Sequence, residues 1–491
     1  MFPSLFAATL TDGYKTGHRE QYPDGTTMIH SNMTPRMSRT GIEHVVVFGL
    51  QYAAKQYLIN TFNKTFFEIS EDVVVAKYKR RLDNYLGVDV SADHIRALHK
   101  LGFLPVRIKA MPEGSIVPLQ CPIFTIENTL PDFFWVTNFL ETLLSTTIWN
   151  MCTAATTAHE YRKVFDAYAK MTGSPLEFCP WQGHNFSYRG CSGVESAMMV
   201  DAGHLLSFTG TDTIPGIDFV EEFYKADCTK ELIGGSVYAT EHAVMAAGGE
   251  KDERSTYHRL ITKVYPKGIV SIVSDTWDFW NTVTSIIPSL KKEIIERDGK
   301  VVIRPDSGDP VLIVVGDHSA PEGSPEHKGL IECLWETFGG TVNEKGFKVL
   351  DPHIGAIYGD SITLDRQESI LCGLAEKGFA SCNIVLGIGS YTYQYVTRDT
   401  YGFAVKATYA EVAGEGREIY KNPKTDSKKK SHRGLLMVVK NGNSYAPKFP
   451  VTRAEEQSSD NCLEVVFENG KLIKDQSLAE IRAHLEEHRN R

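Results

Sequence analysis

Between residues 184 and 391 the chain repeats one pattern: a short apolar run, then Asp, Ser or Gly, then a helical stretch. Ile269-Val270-Ser271-Ile272-Val273 ends in Ser274-Asp275, with Asp278 one turn on. Val301-Val302-Ile303-Arg304 ends in Pro305-Asp306-Ser307-Gly308, and Ile354 to Tyr358 in Gly359-Asp360-Ser361. Ile384-Val385-Leu386 ends in Gly387-Ile388-Gly389-Ser390, and helical segments such as Pro288 to Arg297 and Asp365 to Lys377 lie between. Runs that are apolar at every position suit parallel strands buried on both faces. Turn chemistry alone favours Asp and Gly. Their recurrence at strand after strand fits a β/α barrel, whose functional groups gather where the strands end. An open doubly wound sheet shares the alternation; the barrel is favoured.

At 491 residues the chain exceeds one ordinary core, so more than one domain is expected. Before residue 180 the texture is α+β. Met28 to Met33 reads as a strand, as do Val106-Arg107-Ile108-Lys109, Ser115-Ile116-Val117-Pro118 and Pro122-Ile123-Phe124, punctuated by Gly and Pro. Helices are expected over Val45 to Leu58, Asp72 to Leu86, Phe133 to Asn150 and Thr153 to Tyr168. Strand texture returns at Phe403 to Ala410 and Leu435 to Val439, around a basic segment with Lys428, Lys429 and Lys430. Ser477 and Glu480 fit the capping box of a closing helix. The fold expected is thus α/β. A barrel-like catalytic domain spans 181–391, and residues 1–180 form an α+β domain whose antiparallel sheet also takes strands from 392–491.

The net charge of −9 argues against general nucleic-acid binding, which needs a basic face. Nine cysteines without a C-x-x-C pair resemble neither a disulfide framework nor a zinc site. They suit a reducing compartment. The start, Met1-Phe2-Pro3-Ser4-Leu5-Phe6, has no secretory pattern, and no run approaches a membrane span. A cytoplasmic protein without membrane or nucleic-acid partners is expected.

Candidate chemistry concentrates between His184 and His242. His184-Asn185-Phe186-Ser187-Tyr188-Arg189-Gly190 leads to Gly210-Thr211-Asp212-Thr213, then to Ser236-Val237-Tyr238-Ala239-Thr240-Glu241-His242. The apolar run Ala202 to Phe208 between the first two reads as a buried strand, placing Asp212 just past a strand end. Tyr14 and Phe186 can stack on a flat ring, and Asp212 can accept a bond from a ring amide. Carboxylates at strand ends suit ribose hydroxyls, and Gly387 to Ser390 stand where a barrel often holds phosphate. Arg36 and Arg39 beside Ser38 suit phosphate too, through bidentate guanidinium bonds. These features describe a sugar-phosphate enzyme and leave an aldolase or isomerase open. His18 and His204 read as structural, and Trp181, Trp277 and Trp280 as packing.

The ordered set Asp12-x-Tyr14-Lys15, His184-x-Phe186-x-Tyr188-Arg189-Gly190, Gly210-Thr211-Asp212-Thr213, Glu241-His242, Ser274-Asp275 with Asp278, Ile303 to Gly308, Gly359-Asp360 and Thr397-Arg398-Asp399 resembles the nicotinamide phosphoribosyltransferase family. The resemblance implies a type II phosphoribosyltransferase, a homodimer with active sites at the interface. Its substrates would be nicotinamide and phosphoribosyl pyrophosphate, with ATP as co-substrate and magnesium accompanying pyrophosphate. No direct metal ligand is assigned. By the same resemblance, Asp12 belongs to the substrate site, and Phe186 with the partner's Tyr14 sandwiches the base. Asp212 takes its carboxamide, and Arg189 and Arg304 contact the phosphoribosyl and base end, with Ser236 and Ser274 nearby. Asp306, Gly359 and Asp360 hold the ribose, and Gly389, Ser390 and Arg398 the 5′-phosphate. Arg36 or Arg39, Lys406 and His184 add phosphate contacts. His242 is the histidine that ATP phosphorylates, Glu241 adjoins it, and Asp278 orients its ring.

The nearest rival is a nicotinate phosphoribosyltransferase of the same fold. A nicotinate carboxylate beside Asp212 is a like-charge clash, so Asp212 favours the amide. A non-catalytic signalling or binding protein is the rival from another class.

Overall fold

The apolar runs between 183 and 388 do form parallel strands. In the computed structural model, Tyr238–Ala239, Lys267–Val273, Asp298–Arg304, Ile354–Tyr358, Ile384–Ile388 and Gly183–Asn185 pair side by side, every neighbour parallel. Isolated bridges join the two edges: Thr211 pairs with Asn185, and Gly210 with Gly235, just upstream of Tyr238–Ala239. The sheet therefore closes on itself as a barrel. Residues 5–359, 361–421 and 432–489 are described.

Burial follows from composition. Val270, Ile272, Val301, Ile303, Ile384 and Leu386 are wholly buried. The helices Leu330–Phe338 and Leu364–Glu376 bury Leu330, Ile331 and Leu334 on one and Ile370, Leu371 and Leu374 on the other. Because all the strands run the same way, their carboxy ends share one rim. That rim carries Phe186, Asp212, Thr240 to His242, Ser274-Asp275, Pro305-Asp306, Gly359 and Gly389.

This barrel belongs to one of two compact units, made of Thr157–Asp218 and Asp227–Tyr395. The other unit takes the chain through Thr156, Phe219–Ala226 and the residues from Val396 onward. Its sheet is antiparallel, in the order Glu415–Glu418, Ala404–Val412, Thr26–Thr34, Phe124–Asn128, Val106–Ala110, Glu464–Glu468, Lys471–Leu472. N-terminal strands thus lie between C-terminal ones, with Ile29 opposite Ala410 and Ile108 opposite Ile126. Across it, Glu127 accepts from His30 at 3.1 Å and Arg453 at 2.8 Å. Burial would raise that carboxyl, but these partners bring it down to about 2.

Three expectations change. Val45 and Val46 belong to a strand, His44–Val46, and helix begins only at Leu50, because Gly49 turns the chain at φ 105°. The helices expected over 133–150 and 153–168 are one, Trp135–Thr172; nothing at Met151 or Cys152 breaks a helix. Ala202 to Phe208 is not a strand, since Val194–His204 is helical and a tight turn follows. A short apolar run without β-branched residues does not distinguish a buried strand from a buried helix. His204 is wholly buried, bonded to the Tyr393 hydroxyl at 2.7 Å and the Gly210 carbonyl at 2.9 Å. The Lys428 to Lys430 segment lies outside the described residues. Among the described residues no helix is long and apolar enough to cross a membrane.

Leu386→Ala opens a cavity in the closed sheet, where Leu386 is wholly buried. It should destabilise by about 2–5 kcal/mol, read as a clear drop in Tm. Leu312→Ala, at a site 43% exposed, should change stability by about 0.5 kcal/mol or less. Equal shifts for the two would contradict this placement of the core.

Candidate active site

Asp212 leaves the barrel just after the bridge at Thr211, and two donors meet on one of its oxygens. His184 Nε2 lies 2.8 Å and Ser236 Oγ 2.7 Å from Asp212 Oδ1. Gly210 makes room for this, since a methyl there would come 2.8 Å from His184 Nδ1. The His184 ring also lies 4.5 Å from that of Phe186, centroid to centroid. Partial burial would raise the Asp212 carboxyl, but the bonds from His184 and Ser236 and the Arg304 charge hold it below its ordinary value. It is therefore an ionised acceptor, held by a histidine that itself lies against Phe186. His184, expected among the phosphate contacts, is bonded here to Asp212.

A second cluster surrounds His242. This histidine begins the helix His242–Gly248, with Glu241 exposed at its N-cap. His242 Nε2 is 3.1 Å from Asp275 Oδ1. The Asp275 side chain is only 3% exposed while that of His242 is 50% exposed. Asp275 Oδ2 accepts from the Asp306 backbone N–H at 3.1 Å and from the Ser307 hydroxyl. Burial pushes the Asp275 carboxyl up, yet these donors leave it lowered overall. The carboxylate at His242 is thus Asp275. Asp278 instead caps the helix Phe279–Asn281, accepting from Asn281 N at 2.9 Å, so its position one turn on points it at backbone. Ser274 is wholly buried, its hydroxyl held between Tyr257 OH at 2.8 Å and the Ile272 carbonyl at 2.7 Å. Its hydroxyl, expected near the substrate, is bonded within the protein.

Arg304 donates to the Thr240 carbonyl at 2.8 Å and lies 3.4 Å from Asp306 Oδ1. Gly359 is glycine because Asp306 crowds it: a methyl there would stand 2.0 Å from Asp306 Oδ1. Asp360 lies outside the described residues. At the neighbouring strand end, Gly389 caps the short helix Ser390–Tyr393. Gly190 meets Ser390 closely, with room for no methyl (2.0 Å to Ser390 Oγ), and Arg189 beside it is exposed.

The remaining predicted residues belong to the antiparallel unit. Asp12 accepts from Thr142 at 2.6 Å, and Lys15 pairs with Glu141 at 2.8 Å. Tyr14 between them is 65% exposed. The Arg36 and Arg39 backbone amides each donate at 2.9 Å to Tyr401 and Thr400, next to Arg398 in the turn Arg398–Thr400. Lys406 is held below its ordinary value by desolvation, against the pull of Glu141, and by the charges of Arg36, Lys421 and Lys15. Arg36 and Lys406 therefore share one basic neighbourhood, and the backbone of Arg39 runs alongside the turn that carries Arg398. The sequence reading missed Asp275 as the partner of His242. It also missed Asp201, a wholly buried acid in an otherwise apolar stretch of helix, and that misplaced charge was its only signal.

Two solved enzymes share the fold of this chain, which carries both a parallel barrel and an antiparallel sheet. Nicotinate-nucleotide pyrophosphorylase from Pyrococcus furiosus superposes at TM-score 0.59 and 15% identity, covering 99% of this chain and 95% of its own. Human nicotinic acid phosphoribosyltransferase does so at 0.57 and 16%, covering 98% and 95%. These define the fold class. The model of the nicotinate phosphoribosyltransferase (NAPRTase) family matches residues 181–471, and that of the nicotinamide phosphoribosyltransferase N-terminal domain residues 7–108. Nicotinamide phosphoribosyltransferase from Acinetobacter baylyi is 49% identical over 488 residues, 96% of each chain. The chain belongs to the nicotinate phosphoribosyltransferase family, among its nicotinamide phosphoribosyltransferases.

Asp275 is ionised and stabilising above its ordinary value of 3.8, and that contribution is lost as pH falls through its lowered folded value. Asp275→Asn should therefore lower Tm at neutral pH, with the gap to wild type closing below about pH 4. Calorimetry across pH checks this; a gap that persists unchanged in acid would contradict it.

Proposed function

We propose that the protein transfers the phosphoribosyl group of phosphoribosyl pyrophosphate to the ring nitrogen of nicotinamide, releasing nicotinamide mononucleotide and pyrophosphate. One observation carries the choice of base: Asp212, held ionised by His184 and Ser236, the histidine ring lying 4.5 Å from that of Phe186. An ionised carboxylate accepts from a carboxamide N–H and repels a nicotinate carboxylate, a difference of at least about 1 kcal/mol. The nicotinamide enzyme of Acinetobacter, similar over nearly the whole chain, supports the same base.

In this reading the C1–oxygen bond to pyrophosphate breaks with its electron pair leaving on oxygen, while the ring nitrogen lone pair forms the new C1–N bond. Positive charge develops on the ribose, so positioning and nearby carboxylate are what the protein supplies. Asp306, 3.4 Å from Arg304 and lying against Gly359, would be the strand-end acid that binds the ribose. Gly389 and Ser390 at the barrel rim would take the 5′-phosphate, with Arg189 exposed beside Gly190. Magnesium would accompany the pyrophosphate, neutralising its charge as it leaves.

ATP phosphorylates His242 in this proposal. Asp275, kept ionised, accepts from Nε2–H, which leaves the lone pair on Nδ1 as the nucleophile. The γ-phosphorus bond to the bridging oxygen breaks, ADP departs with that electron pair, and a phosphorus–nitrogen bond forms. A second copy of the chain contributes its exposed Tyr14 to the base site, making a homodimer. Nine free cysteines fit a reducing, cytoplasmic setting.

Asp212→Asn keeps the side-chain shape but loses the charge. Hydrogen bonds to charged groups are worth about 1.5–3 kcal/mol, so KM for nicotinamide should rise roughly 10- to 100-fold. Discrimination against nicotinate should narrow at the same time. His242→Ala should keep mononucleotide synthesis but abolish its stimulation by ATP. Steady-state kinetics with both bases check this. An unchanged nicotinamide KM in Asp212→Asn would remove the carboxylate from base recognition, and ATP stimulation surviving in His242→Ala would remove His242 from the coupling.

A further inference from the structure

Asp201 lies on the helix Val194–His204 inside the barrel unit, wholly buried. Its Oδ1 accepts two short bonds, from Asn185 Nδ2 at 2.6 Å and Thr211 Oγ1 at 2.6 Å. Each of these donors also closes a turn of its own. Asn185 Oδ1 accepts from Ser187 N at 2.9 Å, spanning Phe186. Thr211 Oγ1 accepts from Thr213 N at 3.0 Å, spanning Asp212. Side chains of Asn and Thr fold the backbone two residues on in this way. The backbones are joined as well, with Asn185 N donating to Gly210 O at 3.0 Å and Asp212 N to Asn185 O at 3.1 Å.

We propose that Asp201 is a positioning residue for base recognition, setting through Asn185 and Thr211 the spacing between Phe186 and Asp212. This rests on the reading that those two residues receive the nicotinamide. Asp201 acts from beneath and contacts no substrate. One buried oxygen holds both turns, so the stacking ring and the amide acceptor are fixed to a common point.

The surroundings show that an acid of this size is specified there. Among the described residues Asp201 Oδ2 has no hydrogen-bond partner. It rests against Gly216, where a methyl would come 2.0 Å away. Burial, despite the Thr211 and Asn185 bonds, raises the carboxyl to about 7, and the Asp212 charge adds to the rise. Cys191 and Tyr393 are further titratable groups within its field. An apolar residue of similar volume would avoid that desolvation. It would also leave the Asn185 and Thr211 donors without an acceptor and the two turns unlinked. A group kept at an energetic disadvantage next to a site is expected where it serves that site.

The test compares Asp201→Asn, which retains an acceptor oxygen, with Asp201→Leu, which removes it while keeping the same number of side-chain heavy atoms. Asp201→Leu should raise KM for nicotinamide at least tenfold while KM for phosphoribosyl pyrophosphate stays within about twofold of wild type; Asp201→Asn should restore nicotinamide KM to within about threefold. Thr211→Val, which removes one of the two bonds to Asp201 together with the Thr213 N bond, should show the same split, and Asp201→Ala carries the test if Asp201→Leu does not fold. Crystal structures of the wild type and these variants supply a readout without turnover: Phe186 and Asp212 should move relative to each other in Asp201→Leu and Thr211→Val but not in Asp201→Asn. Displacement in a protein whose wild type makes no nicotinamide product would uphold the positioning role and overturn the base assignment. A folded variant with both residues in place and an unchanged nicotinamide KM, or with both substrates' KM values raised equally, would overturn the positioning role.

Discussion

The rim of this protein depends on backbone bonds at a few residues where the parallel ring closes. Thr211 N donates to Gly235 O at 3.0 Å, Asn185 N to Gly210 O at 3.0 Å, and Asp212 N to Asn185 O at 3.1 Å. Those bonds set His184, Phe186, Asp212 and Ser236 side by side, although they are distant in sequence. Glycine is required where strand ends approach this closely. A methyl at Gly387 would come 2.7 Å from the Phe186 ring and 2.8 Å from the Gly359 carbonyl, and one at Gly183 would come 2.6 Å from Phe208. Backbone closure and side-chain placement are thus one constraint.

Three aspartates of the barrel unit show how partners decide ionisation. Asp212 and Asp275 are desolvated, yet each accepts from an imidazole and a serine hydroxyl and stays charged. Asp201 accepts only from an amide and a hydroxyl, and burial prevails. The first two therefore suit recognition and histidine orientation at the surface of the rim, and the third suits a supporting role beneath it. In the antiparallel unit, Arg36 and Lys406 share a basic neighbourhood of their own.

The long-range architecture was legible where periodicity was strong. Continuous Val- and Ile-rich runs ending in Asp, Ser or Gly announced the parallel strands and their rim, and short Pro-punctuated runs announced the antiparallel sheet. The closing residues 210–211 and 235 were not legible as strands, because single bridges leave no periodic trace. Ala202 to Phe208 misled for the reason that apolar runs are ambiguous between buried strand and buried helix. The order of motifs carried the family, but not which of two nearby acids meets His242. Asp275 and Asp278 differ by one helical turn, and only the cap on Asn281 assigns the second to backbone. Asp201 escaped because its partners, Asn185 and Thr211, lie 16 and 10 residues away and meet it only once the barrel is closed.

The central claim is that an ionised Asp212, steadied by His184 and Ser236, reads the carboxamide of a base lying on Phe186. A crystal structure of the protein with nicotinamide bound tests it most directly. The account predicts the pyridine ring stacked on Phe186 with its amide nitrogen within hydrogen-bond distance of an Asp212 oxygen. A base seated elsewhere, or stacked on Phe186 with its carboxamide turned away from Asp212, would contradict it.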